Sequence, residues 1–476
     1  MAPCAPATAA AAPCPAAPQG HCFTLTVPLD RSGAVPGKVR LRAVRIRSRH
    51  ATRPPLIGLT GGPGQAGVVY ASTYDYILPT AGRDLVMLDQ RGTGASGLLR
   101  CPSVEGDVRY YSKAAQACGR RLGARRAFYT SADSADDLEA LRIRLGVPRI
   151  ALFAVSYGTR VAIEYARRYP ARVERMILDS PVAPDAPDSL ARETIGAVAR
   201  VLRTVCRNGC HGAEQHPVSD MRRLVRRLRR APIRRLVRRG SRRVAVSVRV
   251  DDLLGLLLAG DFDAEFLREI PPAVRSALRG NDRPLVRLKI STFGGGSEPV
   301  GEFDPAVYVA TTCEESVLAW DSNAGAQARR EQARAALDAT PAAALEPFDR
   351  PAALSFGLLG LCGRWPARER VVAPAPPLPS SVRTLILSGD LDLRTPLENA
   401  RRLAGLLHGR VVVERGAGHS VLGLDPNGCA TPAVKAFLVG RPLPTCKPRG
   451  AILTVTSAAV RAAVVWPGLR MRPRLR

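Results

Sequence analysis

The chain has 476 residues, 46% hydrophobic and 5% aromatic, with 70 Lys and Arg against 41 Asp and Glu and a formal net charge of +29. The length accommodates two or three domains and a sizeable core rich in Ala, Leu and Val. The positive charge is spread along the chain, the arginine usage of a high-GC genome, and lacks the interleaved aromatics that base stacking needs; this argues against a nucleic-acid-binding protein.

Met1 to Pro18 is rich in Ala and Pro, without a basic n-region or a long apolar core. The small residues Thr8 to Ala12 fit the end of a signal peptide whose start lies upstream; the alternative is a disordered leader. Cys22–Val27 and Val39–Ile46 read as an opening hairpin, and strands follow at 55–59, 85–88 and 149–154. A helix over about 134–145 is expected from a Ser134 cap with Asp136 and Asp137 in its first turn. Arg175–Asp179 is the next strand. Such alternation predicts a mostly parallel, doubly wound sheet of the α/β class.

Two strands run into loops with chemical promise. Pro55–Leu59 leads to Thr60-Gly61-Gly62-Pro63-Gly64-Gln65, where glycines let backbone N–H groups converge; alone, the loop would read as an ordinary Gly-Pro turn. Leu85–Leu88 leads to Asp89-Gln90-Arg91-Gly92-Thr93-Gly94, where Asp89 and Arg91 are expected to brace the glycine loop as an ion pair.

The strand Ile150–Val155 ends in Ser156-Tyr157-Gly158-Thr159, and a helix-like pattern follows from Arg160 to Arg168. That is the strand–turn–helix setting of a nucleophile elbow, with Ala154 in the first small position of what is usually G-x-S-x-G. Alanine is sterically tolerable there. A serine needs a base, and the base needs an orienting group. In α/β-hydrolases they follow in the order Ser, acid, His.

From about Pro187 the strand–helix repeat stops until Val382. This Arg-rich interval is read as a mainly helical cap inserted in the core. Met221 to Arg243 carries six Arg pairs with apolar residues at roughly helical spacing, and is read as an amphipathic helix pair broken near Pro232. Its basic face is a solvated cap surface in preference to an anion-binding patch. A Gly-rich loop at 292–303 and a Pro-rich linker at 372–379 complete the interval.

Val382–Ser388 reads as a buried strand ending at Gly389-Asp390-Leu391-Asp392, and Arg410–Glu414 as a strand ending at Gly416-Ala417-Gly418-His419. His419 thus sits on a strand-end loop, where the catalytic groups of an open α/β sheet gather. His408, before that strand, belongs to a helix end at the opposite edge. Asp390 and Asp392 both qualify as the acid; the other reading of Asp390 is a carboxylate that caps loop N–H groups. The basic tail at 450–476 reads as a poorly ordered extension. No stretch is long enough for a transmembrane helix; Ala451 to Pro467 comes nearest and is interrupted by Arg461.

With Val27-Pro28-Leu29-Asp30, Gly61-Gly62-Pro63-Gly64, Asp89-Gln90-Arg91-Gly92-Thr93-Gly94, Val155-Ser156-Tyr157-Gly158-Thr159, Leu391-Asp392-Leu393-Arg394-Thr395-Pro396 and Gly418-His419 in place, the chain resembles the secreted tripeptidyl aminopeptidases, related to proline iminopeptidases, within the α/β-hydrolases. The resemblance runs from about Cys14 to about Cys446. One departure is Thr60, where relatives often carry His; Ala154 is the other. The resemblance implies an α/β-hydrolase fold and a secreted serine exopeptidase, an aminopeptidase releasing short N-terminal peptides or residues. The alternative is an esterase acting on non-peptide esters.

The residues implied are Ser156 as nucleophile, Asp392 as acid and His419 as base, with the N–H groups of Tyr157 and Gly62 holding the oxyanion; Pro63 has no N–H to offer. Glu314 and Glu315, after Cys313, are candidate partners of a substrate ammonium; otherwise they open a helix at Ser316–Ala319. Trp365 lines the same cleft or fills the cap core. No metal or cofactor is implied, and the chain is read as a monomer acting on peptides.

The eleven cysteines exceed what a reduced cytosolic enzyme carries, and neither a C-x-x-C pair nor grouped histidines mark a zinc site. Proximity and resemblance imply Cys14–Cys22, Cys101–Cys118, Cys206–Cys210, Cys313–Cys362 and Cys429–Cys446, with Cys4 left over, and an extracytoplasmic location. The expected layout is a leader at 1–20, core at 21–186, cap at 187–371, core at 372–449 and tail at 450–476.

Overall fold

The structure is a computed structural model and describes residues 12–106, 111–182, 188–207, 210, 215–239, 242–293, 299–368 and 377–446. The expectations for Cys4 and most of the leader, for the centre of the Gly-rich loop, for the Pro-rich linker at 372–376 and for the basic tail lie outside these residues.

Among the described residues the main sheet has nine strands: β1 (Ala12–Cys14), β2 (Ala17–Pro28), β3 (Lys38–Ile46), β4 (Leu56–Leu59), β5 (Leu85–Leu88), β6 (Ile150–Val155), β7 (Val173–Asp179), β10 (Thr384–Gly389) and β11 (Arg410–Glu414). Their order is β1-β2-β3-β5-β4-β6-β7-β10-β11. The first three and the β3–β5 junction are antiparallel, and from β5 onward every pairing is parallel. This is the α/β-hydrolase architecture expected of the sequence.

The central strands are apolar end to end because helices cover both faces of a parallel sheet. Residues of β4, β5, β6 and β10 are all buried. Side chains alternate between two cores: Ile57, Val86 and Leu152 on one face, Leu56, Leu85, Met87 and Phe153 on the other. The helix before β6 is Ser131–Arg144, and its cap is Thr130, not Ser134. Thr130 and Asp133 form a reciprocal capping box, which moves the start one turn earlier and places Ser134 inside the helix.

Between β7 and β10 the described residues are mainly helical and include Pro217–Arg230, Val250–Ala259 and Pro305–Glu315. The Arg-rich stretch differs from the expected helix pair. After Pro217–Arg230 comes an antiparallel hairpin, β8 (Ile233–Arg239) and β9 (Arg242–Val248). Pro232 cannot donate to a continuing helix, and Val244, Val246 and Val248 are β-branched residues at period two. Ile233, Leu236 and Val237 have helical spacing, yet Ile233 is buried and Leu236 is exposed. The five disulfides are those implied by the resemblance. Among the described residues no helix is long and apolar enough to cross a membrane.

Candidate active site

Ser156 leaves the carboxyl end of β6 with φ at 53°, in the left-handed region. A non-glycine residue there costs roughly 1–3 kcal/mol and persists only where the surroundings over-determine it. Here Ser156 N–H donates to the Asp179 carbonyl at 2.9 Å, and Thr159 donates to the Ser156 carbonyl from its N–H at 3.0 Å and its hydroxyl at 2.6 Å. Gly158 is required: a Cβ there would lie 2.7 Å from the carbonyl oxygens of both Leu59 and Thr60. Ala154 is wholly buried in β6. The helix Gly158–Arg168 starts directly behind the serine.

The glycine loop passes over Ser156. A Cβ on Gly61 would sit 3.0 Å from Ser156 Cβ and 3.4 Å from its Oγ. The Gly61 N–H donates to Gln65 Oε1 at 3.2 Å and is therefore engaged. Gly62 takes a φ of 107°, which favours glycine. Gln90 Nε2 donates to the Thr60 carbonyl at 3.1 Å, and the Thr60 hydroxyl to the Gln65 carbonyl at 2.9 Å, so threonine closes the loop locally.

The expected Asp89–Arg91 ion pair is not formed. Asp89 accepts from the N–H groups of Gly67, Val68 and Ala95 at 2.9, 2.7 and 2.9 Å. Burial raises its carboxyl and those three donors oppose the shift. Arg91 turns away to Asp137 and to the carbonyls of Leu29 and Phe128. The two side chains, two positions apart, therefore brace different segments.

Asp390 and Asp392 separate cleanly. Asp390 accepts the Gly416 N–H at 2.7 Å, a loop-capping role. Asp392 is fully buried, with Oδ2 3.0 Å from His419 Nδ1. Thr395 supports it, its N–H on Oδ1 at 2.9 Å and its hydroxyl on Oδ2 at 2.7 Å. Burial alone would raise the Asp392 carboxyl, but the His419 ring and the Thr395 donors outweigh it and hold it below the usual range. His419 Nε2 is buried and has no hydrogen-bond partner among the described residues. His408 is exposed at the end of the helix Leu397–Leu407.

Asp179, at the end of β7, connects the serine to the histidine loop. Its backbone carbonyl holds Ser156, and its carboxylate accepts the N–H groups of Val421 and Leu422, each at 2.8 Å. Burial pushes this carboxyl up to about 6 against those donors. Sequence reasoning passed over Asp179, at the end of β7, and Thr395, in the loop after β10 that also carries Asp392.

Glu314 and Glu315 close the helix Pro305–Glu315; they do not open one at Ser316–Ala319. Glu314 is buried, 3.0 Å from Arg126 Nε, and accepts the Trp365 indole N–H at 2.8 Å, which places Trp365 in the cap core. Glu315 accepts the Ser131 N–H at 2.7 Å, lies 3.4 Å from Arg160 Nε, and meets the Tyr157 hydroxyl. Burial, with the Glu315 charge added, drives the Tyr157 phenol well above its usual range. Both carboxylates thus have cationic partners within the protein.

A family model described as alpha/beta hydrolase fold matches residues 54–205, and one described as TAP-like protein matches residues 351–447. The tripeptidyl aminopeptidase of Streptomyces coelicolor is 25% identical over 473 residues, covering 88% of this chain and 81% of that protein. Serine protease Hip1 of Mycobacterium tuberculosis is 25% identical over 462 residues, covering 89% and 86%. The proline iminopeptidase of Lactobacillus delbrueckii subsp. lactis is 29% identical over 140 residues, covering 29% and 40%.

Proposed function

We propose that this chain, an α/β-hydrolase enzyme with a TAP-like C-terminal segment, is a serine exopeptidase that removes short peptides or single residues from free N-termini. Ser156 Oγ attacks the scissile carbonyl while His419 Nε2 takes its proton. Asp392 holds the ring through Nδ1 and stabilises the imidazolium. The N–H groups of Tyr157 and Gly62 receive the oxyanion; the engagement of Gly61 by Gln65 supports Gly62 as the donor from the glycine loop. His419 returns the proton to the leaving amine, an acyl-enzyme forms on Ser156, and water releases it.

The observation that carries this reading is the buried 3.0 Å contact between Asp392 Oδ2 and His419 Nδ1, with His419 Nε2 left without a partner among the described residues. A positive-φ serine at an elbow and the order Ser156, Asp392, His419 agree with it. The peptidase relatives, spanning most of both chains, favour peptide amides over esters. The cap, taken as 187–371 between core segments 21–186 and 372–449, roofs the site and limits what enters. We assign Glu315 to bracing the elbow, and Glu314 to the packing around Arg126 and Trp365, in preference to binding the substrate amine, because both already face arginines. Five disulfides support an oxidising, extracytoplasmic setting.

The test is a panel of free and N-blocked mono-, di- and tripeptide amides, with Ser156→Ala as control. Cleavage confined to free-amine substrates, lost by orders of magnitude in the variant, is the expected result. Equal rates on blocked substrates, or activity on esters alone, would overturn the exopeptidase reading.

A further inference from the structure

The cap reaches the acid–histidine pair through one turn. The helix Val250–Ala259 ends in a single 3-10 turn, Gly260–Phe262, whose middle residue Asp261 is completely buried. Its backbone carbonyl accepts the His419 N–H at 2.8 Å. Its Oδ1 accepts the N–H of Leu393, the residue after Asp392, at 3.2 Å. Its Oδ2 lies 3.6 Å from Arg394 Nε, and another nitrogen of that guanidinium donates to the Leu258 carbonyl at 2.8 Å. The next residue, Phe262, meets the His419 ring edge to face, with centroids 5.7 Å apart, and carries the Arg394 guanidinium 4.9 Å from its ring centre.

The fit has no slack. A Cβ on Gly418 would fall 1.9 Å from the Asp261 carbonyl oxygen. Gly418 is therefore the residue that lets the histidine loop lie against the cap. Nothing in the local sequence of Gly260-Asp261-Phe262 marks it, because the contact joins residues more than 130 positions apart in the chain.

We propose that Asp261 is a positioning residue for the Asp392–His419 pair: its carbonyl fixes the loop that carries His419, and its carboxyl fixes the loop that carries Asp392. The proposal rests on the serine-hydrolase reading of Ser156, Asp392 and His419. A residue gripping both loops, at His419 itself and one position beyond Asp392, sets their mutual angle. A misplacement of about 1 Å between such groups costs on the order of 100-fold in rate. Burial, with the Asp392 charge added, pushes the Asp261 carboxyl well above the usual carboxylate range, and Arg394 opposes the shift. Asparagine imitates the protonated acid and keeps an oxygen for the Leu393 N–H.

The test measures phosphonylation of Ser156 by a fluorophosphonate, a probe of the activated serine that does not depend on which substrate is native. It is paired with kcat and KM on a free-amine peptide amide, all per folded molecule as judged by thermal melting. Asp261→Ala should slow labelling and kcat by about 10- to 100-fold with KM changed less than about 3-fold, and Asp261→Asn should recover most of the loss. Gly418→Ala, which presses on the same contact from the other side, should also slow labelling and serves if Asp261→Ala does not fold. A wild-type protein that resists the probe would sink the serine-hydrolase reading itself. Labelling of folded Asp261→Ala or Gly418→Ala at the wild-type rate, beside a reactive wild type, would overturn the positioning role alone.

Discussion

Arg91 and Asp137 meet as a buried pair held by two hydrogen bonds, Nε to Oδ2 and a terminal guanidinium nitrogen to Oδ1, both at 2.7 Å. The side chains are each 1% exposed. The remaining terminal nitrogen donates to the carbonyls of Leu29 and Phe128, so the pair ties the first sheet strands to the helix Ser131–Arg144. Burial would lower the Arg91 guanidinium, but Asp137 raises it and keeps it charged.

Asp137→Ala strands the buried Arg91 charge and should cost about 3–5 kcal/mol, read from the urea midpoint. Arg91→Ala leaves Asp137 its 2.8 Å pair with the partly exposed Arg31 and should cost less. Arg91→Lys should cost nearly as much as Arg91→Ala, since lysine cannot make the two-point contact. A loss below about 1 kcal/mol in Asp137→Ala would show that the pair contributes little.

The two candidate acids predict different kinetics. Asp392→Asn should lower kcat by about 10,000-fold with little change in KM, because the amide holds the wrong histidine tautomer. Asp390→Asn, at a carboxylate that accepts the Gly416 N–H, should stay within a few-fold of wild type. Steady-state kinetics on one peptide amide decides it, and equal losses in both variants would count against the assignment.

Asp304 predicts a pH signature in stability. It caps the helix Pro305–Glu315, its Oδ1 accepting from Ala306 and Val307 at 2.8 and 2.9 Å. Burial pushes its carboxyl up to about 7, against those donors. An acid raised above its unfolded value of about 3.9 stabilises the fold through its protonated form. That contribution is whole below about pH 4 and is lost as pH rises through about 7. The stability of wild type relative to Asp304→Asn should therefore fall across this window by no more than about 4 kcal/mol, at about 1.4 kcal/mol per unit. Asparagine preserves the cap, and other acids such as Asp179 cancel in the difference. Denaturant melts of both proteins between pH 4 and 8 would expose a flat difference, which the buried Asp304 does not permit.

Glu315 separates bracing from amine binding. It contacts Ser131, Arg160 and Tyr157 behind the elbow. As a brace, Glu315→Gln should lower kcat severalfold and equally for every substrate the enzyme turns over. A rise of tenfold or more in KM confined to free-amine substrates would restore Glu315 as the ammonium partner.

The sequence by itself determined the strand–helix alternation, the mainly helical interval between β7 and β10, and the chain order of the proposed Ser156, Asp392 and His419. These are written in local pattern: apolar runs that end in glycines, small residues around a serine, an acid or a histidine just past a strand. It misread features whose local pattern was ambiguous. The apolar residues from Ile233 to Val237 suit a helix or a strand, and the hairpin is decided by Pro232 and by pairing with β9. Thr130 and Ser134 both suit a cap, and the capping box with Asp133 decides between them.

Only the tertiary structure decided which groups face one another. Asp89 and Arg91 are two residues apart yet brace different segments, while Asp392 and His419, 27 apart, share a hydrogen bond. Asp179 and Asp261 enter the site because neighbouring strand ends and a cap turn converge on the histidine loop. Side-chain direction and burial arise from the packing of distant segments, and a linear pattern records neither.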